Sequence, residues 1–507
     1  MPASRPAFIS IMMLALAGAS PLAAQGTPLI GEAIAEAQQA AARDDCVGVL
    51  RALDPVVAGL ASGPERLIAQ RMRMLCLGAE GRAAELPAVQ AELARATPRD
   101  GVVRAFGALI AADEDRFAAA ADDIAFVAAT SPDALAIFQG VVIREIAGRL
   151  TAGPDRQARN RMMIALTRAD WEPSDLPELK VSFAAQAIEA LVGQGEVHEA
   201  EALLDRVDRP EQLWAMMVDR HYARLWPAIE ALMGPGGSAS VDRFAREKLG
   251  RLGDAPDSDS ALRDAANAML LLGRYQDVLD LTDKVQIDDA MSRDAVFVML
   301  HRARALAALR RVDDVDRLYA PFLKVDLNRA PAAATALIGY AEFLDEVGRS
   351  ARALDVARRT RADAGGLLSD VGKRWLDRTE ICALSALGQA ADANRAADRL
   401  KANADQNRPA AIEALLCAHR DAEASVIALR AFGDAEIAAD LLLQFQPAGA
   451  LWAPAPSRLR DLWIAFLARP EIKAAFERNG RILPRNLWPR PGPRPIPRRP
   501  LEGGTLV

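Results

Sequence analysis

Small, large apolar and polar residues recur along the chain at fixed distances from a turn-forming position. Segments 191–205 (LVGQGEVHEAEALLD), 271–283 (LLGRYQDVLDLTD) and 346–358 (EVGRSARALDVAR) each place a glycine between two stretches of helical apolar spacing. The turn position can be followed through eight segments, at Gly81, Asp115, Gly195, Gly273, Arg310, Gly348, Gly388 and Gly433. A period of this kind, 37 to 45 residues from Gly273 onward, predicts stacked helical hairpins.

The residues around each turn support this interpretation. A small residue stands seven positions before it, a large apolar one four before it, and a small or β-branched one five after it. Examples are Ala266, Met269 and Val278 around Gly273. Glycine ends a first helix in the left-handed conformation, and an acid such as Asp277 suits the first turn of the next helix. We therefore predict an all-α solenoid of helical hairpins.

This arrangement resembles the tetratricopeptide-like repeats over roughly residues 42–440. The shared features are a small residue, a bulky one, a glycine-bearing turn and then an alanine. The closing proline of that family is missing, and the periods exceed 34 residues. The resemblance implies a right-handed α–α superhelix that presents a groove to a protein or peptide ligand.

Breaker residues divide the predicted array. Residues 234–240 (GPGGSAS) and 253–260 (GDAPDSDS) predict a hinge over 234–260 that contains one short helix. It separates helical-repeat halves at 26–233 and 261–482. Residues 483–507 form a tail rich in proline and arginine, which favours polyproline II. The tail either grips an acidic surface or adaptor groove, or is disordered or draped over the protein surface.

The N-terminus has the features of a secretory signal peptide over residues 1–24. Arg5 precedes the apolar run 7–18, and a cleavage site follows between Ala24 and Gln25. The triplet at 17–19 is a second possible site, and a membrane anchor is the alternative interpretation. No later segment is long and apolar enough to span a bilayer. We expect a periplasmic protein.

Four cysteines form two pairs, Cys46 with Cys76 and Cys382 with Cys417. Both pairs can meet in a helical-hairpin array, and an exported protein favours disulfides. Buried free thiols are the alternative. Metal binding is disfavoured, because no Cys-x-x-Cys or suitably spaced histidine accompanies them.

Neither composition nor motifs point to catalysis. Aromatics are 5% of the 507 residues and net charge is −6, which does not favour nucleic-acid binding. Paired acids at 44–45, 122–123, 288–289 and 313–314 suit helix caps, and His198, His221, His301 and His419 are isolated. No phosphate loop or nucleophile elbow is present. We predict no catalytic residue, cofactor or metal.

These observations favour a non-catalytic periplasmic scaffold or adaptor. It would bind a protein or peptide partner on its helical surface, and cell-envelope or polysaccharide assembly is a process that it could serve. The alternative is a periplasmic enzyme acting on polysaccharide or peptidoglycan, either a helical toroid or resembling a lytic transglycosylase.

Overall fold

The computed structural model of the chain describes residues 28–151, 153 and 155–498. The predicted signal peptide, its cleavage site at Ala24 and Gln25, and residues 499–507 lie outside the described residues. Among the helices that the structure describes, none is long and apolar enough to cross a membrane.

The fold is an all-α solenoid of helical hairpins, as predicted. Over the described ranges the only β pairing is an isolated antiparallel bridge between Asp219 and Gly480. The chain forms two compact units, one ending at Arg206 and one beginning at Val207.

Most helices that follow one another in the first unit pack together. Its helices are α1 (Pro28–Ala41), α2 (Cys46–Val57), α3 (Pro64–Ala79), α4 (Leu86–Ala96), α5 (Gly101–Asp113), α6 (Phe117–Thr130), α7 (Gly140–Arg149), α8 (Arg156–Arg168), α9 (Leu179–Gln194) and α10 (Val197–Ala202).

The second unit opens with three helices and continues as stacked hairpins. Its helices are α11 (Pro210–Val218), α12 (Trp226–Met233), α13 (Ser238–Asp254), α14 (Asp259–Leu271), α15 (Tyr275–Leu281), α16 (Arg293–Ala308), α17 (Val312–Tyr319), α18 (Ala333–Glu346), α19 (Ser350–Ala364), α20 (Asp370–Ala386), α21 (Ala390–Lys401), α22 (Arg408–Cys417), α23 (Asp421–Ala431), α24 (Ala435–Leu442), α25 (Arg458–Leu467) and α26 (Pro470–Asn479). The first helices of successive hairpins, α14, α16, α18, α20 and α22, pack against one another in that order. Their shared face is the one that positions the candidate site.

Seven of the eight predicted turn residues end a helix in the left-handed conformation. Their φ angles lie between 58° and 84°, at Gly81, Asp115, Gly195, Gly273, Arg310, Gly348 and Gly388. At Gly273 the chain closes a Schellman motif, in which the Arg274 and Gly273 amides donate to the Met269 and Leu270 carbonyls. The residues predicted to pack at these turns, such as Ala266 and Val278, are buried.

The eighth predicted turn residue, Gly433, also lies between two helices, since α23 ends at Ala431 and α24 begins at Ala435, but its φ is not positive. Between Gly388 and Gly433 the chain makes a further left-handed turn at His419, with φ 58°, which the pattern missed. The amides of His419 and Arg420 donate to carbonyls at the end of α22 in the same Schellman pattern. Asp44 and Asp170 form equivalent turns that the glycine pattern missed. A non-glycine residue can occupy this conformation, and aspartate and histidine do so more readily than most.

Both breaker clusters lie within the second unit. Residues 234–237 form a short glycine-rich turn, and α13 runs from Ser238 to Asp254, packed on α14. This helix has 17 residues, which is longer than the helix expected inside the hinge. The division of the repeats at 234–260 stays a prediction.

The tail is draped over the second unit as far as the structure describes it. The Arg494 amide donates to the Leu272 carbonyl at 2.8 Å, and its guanidinium donates to Asp242 at 2.5 Å. The Gly492 carbonyl lies 2.8 Å from where a Cβ on Gly273 would stand. Glycine at position 273 therefore allows the left-handed end of the helix and also leaves room for the tail to approach closely.

Candidate functional site: an acidic and aromatic cleft

The structure brings both cysteine pairs together at disulfide distance. Cys46 at the start of α2 meets Cys76 on α3, and Cys382 on α20 meets Cys417 on α22. Each pair has a Cα–Cα separation of 5.0 Å. The first bridge joins the arms of one hairpin, and the second joins successive first helices. Both are structural links between helices.

The paired acids have structural roles. Asp45 caps α2 by accepting from the Gly48 amide, and Asp314 lies in the first turn of α17, paired with arginines. Asp288 accepts from the backbone of its own loop. The pair at 122–123 departs from the cap prediction, since it lies inside α6 and binds Arg161 and Arg104.

The histidines lie apart, and the described residues hold no group of acids, histidines and cysteines that could bind a metal ion. His198 is exposed, and His419 forms the turn after α22. His221 contacts the ring of Tyr222 edge-on, with centroids 4.9 Å apart. Burial, reinforced by nearby arginines, lowers the pKa of His301 to about 3, so it stays neutral.

A cleft of about 600 Å³ lies in the second unit, on the face formed by the first helices of the hairpins. Its walls are residues at helical spacing: Glu211 and Trp214 on α11; Leu300, Ala303, Arg304 and Ala307 on α16; Gly339, Glu342, Phe343 and Glu346 on α18. The non-helical segment Leu451–Ser457, which we call the strap, forms another wall. Trp452 of the strap lies beside Trp214, with ring centroids 6.3 Å apart. The cleft is thus part aromatic and part acidic.

A buried charge network lies behind the α18 wall. Arg378 on α20 is 1% exposed and binds Glu342 at 2.6 Å and Glu413 at 2.9 Å. Glu413 also accepts from the Trp463 indole at 2.7 Å, and Arg458 binds the fully buried Asp345 at 2.5 Å. Buried charges persist only when paired in this way. The network therefore fixes α18 relative to α20, α22 and α25.

The pKa values of two cleft acids, Glu342 and Glu346, are raised. Burial, and then repulsion from Glu413 and Glu342, raises the pKa of Glu346 to about 7, although Ser457 donates a hydrogen bond to it. Burial also raises the pKa of Glu342. This side chain is 40% exposed, where it lines the cleft, and protein surrounds the rest of it. Glu346 consequently exchanges a proton near neutral pH.

Three polar atoms on cleft-lining residues are buried and have no hydrogen-bond partner in the described part of the chain. They are Trp214 Nε1, Glu211 Oε2 and Glu346 Oε2. Trp214 is only 6% exposed. Native proteins satisfy nearly all such atoms, so an unsatisfied group marks a strained or ligand-binding position. Such atoms also occur elsewhere, for example at Arg361 and Asp377, but here they coincide with a cleft that has aromatic and acidic walls, and we therefore take this cleft as the candidate site.

No protein-family model matches the chain, and a comparison with curated proteins finds no match. The assignment therefore depends on the geometry of the cleft.

Sequence analysis missed every residue of this cleft, although one signal was available. Six positions before the turn, three successive repeats carry Asn267, Arg304 and Glu342. Equivalent positions of a solenoid align on one face, so this register position predicts a polar stripe on the first helices. Glu346 stands one helical turn after Glu342 and extends that stripe.

Proposed function

We propose that this protein is a non-catalytic adaptor whose second unit holds a protein or peptide segment in the cleft. The supporting observation is the strap Leu451–Ser457. It is a non-helical segment with two prolines, and it lies against the first helices of the hairpins as a bound peptide would. A face that accommodates one such segment has the shape and chemistry to accommodate another.

The residual volume beside the strap is suited to side chains. It is bounded by Leu300, Ala303 and Phe343, which offer apolar contact, and by carboxylates that offer polar contact. Mostly apolar concave sites with a few polar groups are typical of ligand pockets. The tetratricopeptide-like resemblance adds to this proposal, because such repeats bind peptides on the same kind of surface.

We also propose that the protein acts outside the cytoplasm, in the bacterial periplasm. The signal-like segment 1–24 supports this, and so do the two cysteine pairs at disulfide distance, since disulfides persist in oxidising compartments. A role in cell-envelope or polysaccharide assembly would fit that location.

A photo-crosslinking residue at position 343 tests the adaptor function. The full-length variant, expressed in its native envelope, should form discrete adducts with a protein. Leu387 is the matched control, because it is exposed at the end of α20 and does not line the cleft. Protein adducts of equal yield at both positions, or none at position 343, would contradict the proposal.

One observation favours a second candidate, an enzyme acting on envelope glycans. Glu346 combines a pKa of about 7 with an aromatic-walled cleft, which is the environment of a general acid. Purified protein incubated with peptidoglycan fragments would then release shorter products, and Glu346→Gln would abolish that release. If the glycan fragments are still cleaved after this substitution, Glu346 is not the general acid.

A further inference from the structure

The charge balance of the cleft indicates which group of a ligand it can hold. Its lining includes Glu211, Glu342 and Glu346, with Arg304 and Arg460 as the basic residues. Glu342 is engaged by Arg378, and Arg460 donates to the main-chain carbonyl of Gln446 at 2.7 Å. Arg460 is held by this carbonyl and keeps its positive charge near Glu346, so the charged side chains left to contact a ligand are Glu211, Glu346 and Arg304.

Burial distinguishes these three charges. The Arg304 side chain is exposed. Glu211 and Glu346 each keep one oxygen that is buried and without a partner among the described residues. A desolvated carboxylate gains far more from an added opposite charge than a solvated guanidinium does. The cleft is thus matched to a cation.

The remaining oxygens determine the type of cation. Glu211 Oε1 already accepts from the Asn267 amide at 2.8 Å, and Glu346 accepts from Ser457. Each carboxylate therefore has one oxygen that already accepts a hydrogen bond and one that no described group contacts. An arginine fork prefers both oxygens of one carboxylate, whereas a lysine ammonium is a compact charge with separately directed donors. Single oxygens favour lysine.

Trp214 supplies the complementary group. Its buried Nε1 is a donor without a described partner, and it needs an acceptor such as a peptide carbonyl. The Trp214 and Trp452 rings also provide surfaces against which an alkyl stem or an ammonium group can pack.

We propose that the cleft recognises a lysine side chain of a peptide segment. Its ammonium group binds Glu346 and Glu211 after these side chains turn their uncontacted oxygens, which are buried in this structure, towards it, and a neighbouring carbonyl accepts from the Trp214 indole. This inference rests on the proposed peptide-binding function and specifies the residue that is recognised.

Protons should compete with the lysine at Glu346. The charged and titratable groups around this carboxylate are Glu342 and Asp345 on α18, Arg304 on α16, Tyr319 on α17, Arg378 on α20, Glu413 on α22, Arg458 and Arg460 on α25, and Glu211 on α11. Because the pKa of Glu346 is about 7, its ionised fraction rises from about a tenth at pH 6 to about nine tenths at pH 8. Lysine stays charged over that range, so affinity should rise about tenfold.

The test uses full-length protein and three fluorescein-labelled, C-terminally amidated alanine heptapeptides with a central lysine, arginine or norleucine. Anisotropy titrations at pH 8 should show the lysine peptide binding at least tenfold more tightly than the norleucine peptide and more tightly than the arginine peptide. Glu346→Gln should abolish the lysine preference and the pH dependence. Glu477→Gln, an exposed acid outside the cleft, should preserve both.

The outcomes separate this inference from the adaptor proposal. Equal binding of the lysine and norleucine peptides would overturn lysine recognition and leave peptide binding intact. Tighter binding of arginine, or tighter binding at pH 6 than at pH 8, would also overturn it. If no peptide binds, the inference fails. The adaptor function is then decided by the separate crosslinking experiment at position 343.

Discussion

Replacing Glu346 by glutamine should stabilise the second unit at alkaline pH. Burial and neighbouring acids raise the pKa of this carboxyl from 4.5 to about 7. The folded state therefore binds the proton more tightly than the unfolded state does. Stability from this residue is highest below pH 4.5 and is lost as the pH rises towards 7. Glutamine keeps the size and removes the charge.

The magnitude follows from the two pKa values. A rise from 4.5 to about 7 corresponds to about 3 kcal/mol once the carboxyl is ionised in both states. At pH 5 the penalty is about 1 kcal/mol, and at pH 8 it is about 3 kcal/mol. The free energy of unfolding of Glu346→Gln relative to the natural protein should therefore increase by about 2 kcal/mol between these pH values.

Urea unfolding followed by tryptophan fluorescence measures this quantity. Six of the seven tryptophans, all except Trp171, lie in the second unit, so the signal reports mainly on that unit. Glu477→Gln should change stability by less than about 0.5 kcal/mol at either pH, because its side chain is exposed. If Glu346→Gln is no more stable at pH 8 than at pH 5 relative to the natural protein, the carboxylate is not a desolvated charge.

Three further predictions concern the scaffold. Gly273→Ala and Gly388→Ala should each lower the free energy of unfolding by about 1 kcal/mol, because both residues have left-handed φ angles. Only Gly273→Ala should also make the tail sensitive to trypsin, because its Cβ would clash with the Gly492 carbonyl. Unfolded, unreduced protein should show no thiols that react with Ellman's reagent, and four reactive thiols would refute both bridges. Reduction should lower the free energy of unfolding by about 3 kcal/mol per bridge. Arg378→Met should lower the free energy of unfolding in urea by about 3–5 kcal/mol, because it leaves Glu413 buried and unpaired. A decrease below about 1 kcal/mol would show that this network contributes little to stability.

The local part of the fold could be predicted from the sequence because it depends on residues close in the chain. A turn residue and its packing partners lie within about a dozen positions, so all eight turns were placed between helices and seven of them are left-handed. The turn at His419 was missed because the pattern was followed through glycine. Leu415 and Ala424 stand at the register positions around His419 and are buried, so the packing pattern would have found that turn.

The cleft could not be predicted in the same way, because it depends on contacts between distant segments. Glu346 meets Ser457 and Glu413, which are 111 and 67 positions further along the chain. The strap has no helical periodicity, and its position follows from α24 and α25 on either side of it. The sequence signal was limited to the polar stripe of Asn267, Arg304 and Glu342, which shows that the face is polar but does not show what covers it.

The same features that mark the cleft as a site also make it costly to fold. An acid with a pKa near 7 and three unsatisfied polar atoms each reduce stability, and an apolar or amide replacement would remove those costs. Functional sites often retain such unfavourable groups because binding compensates for them. A Glu346→Gln substitution that stabilises the protein and also removes the lysine preference would show that the same carboxylate destabilises the fold and binds the ligand. A stabilising substitution without any effect on binding would instead mean that Glu346 serves only the charge network around Arg378.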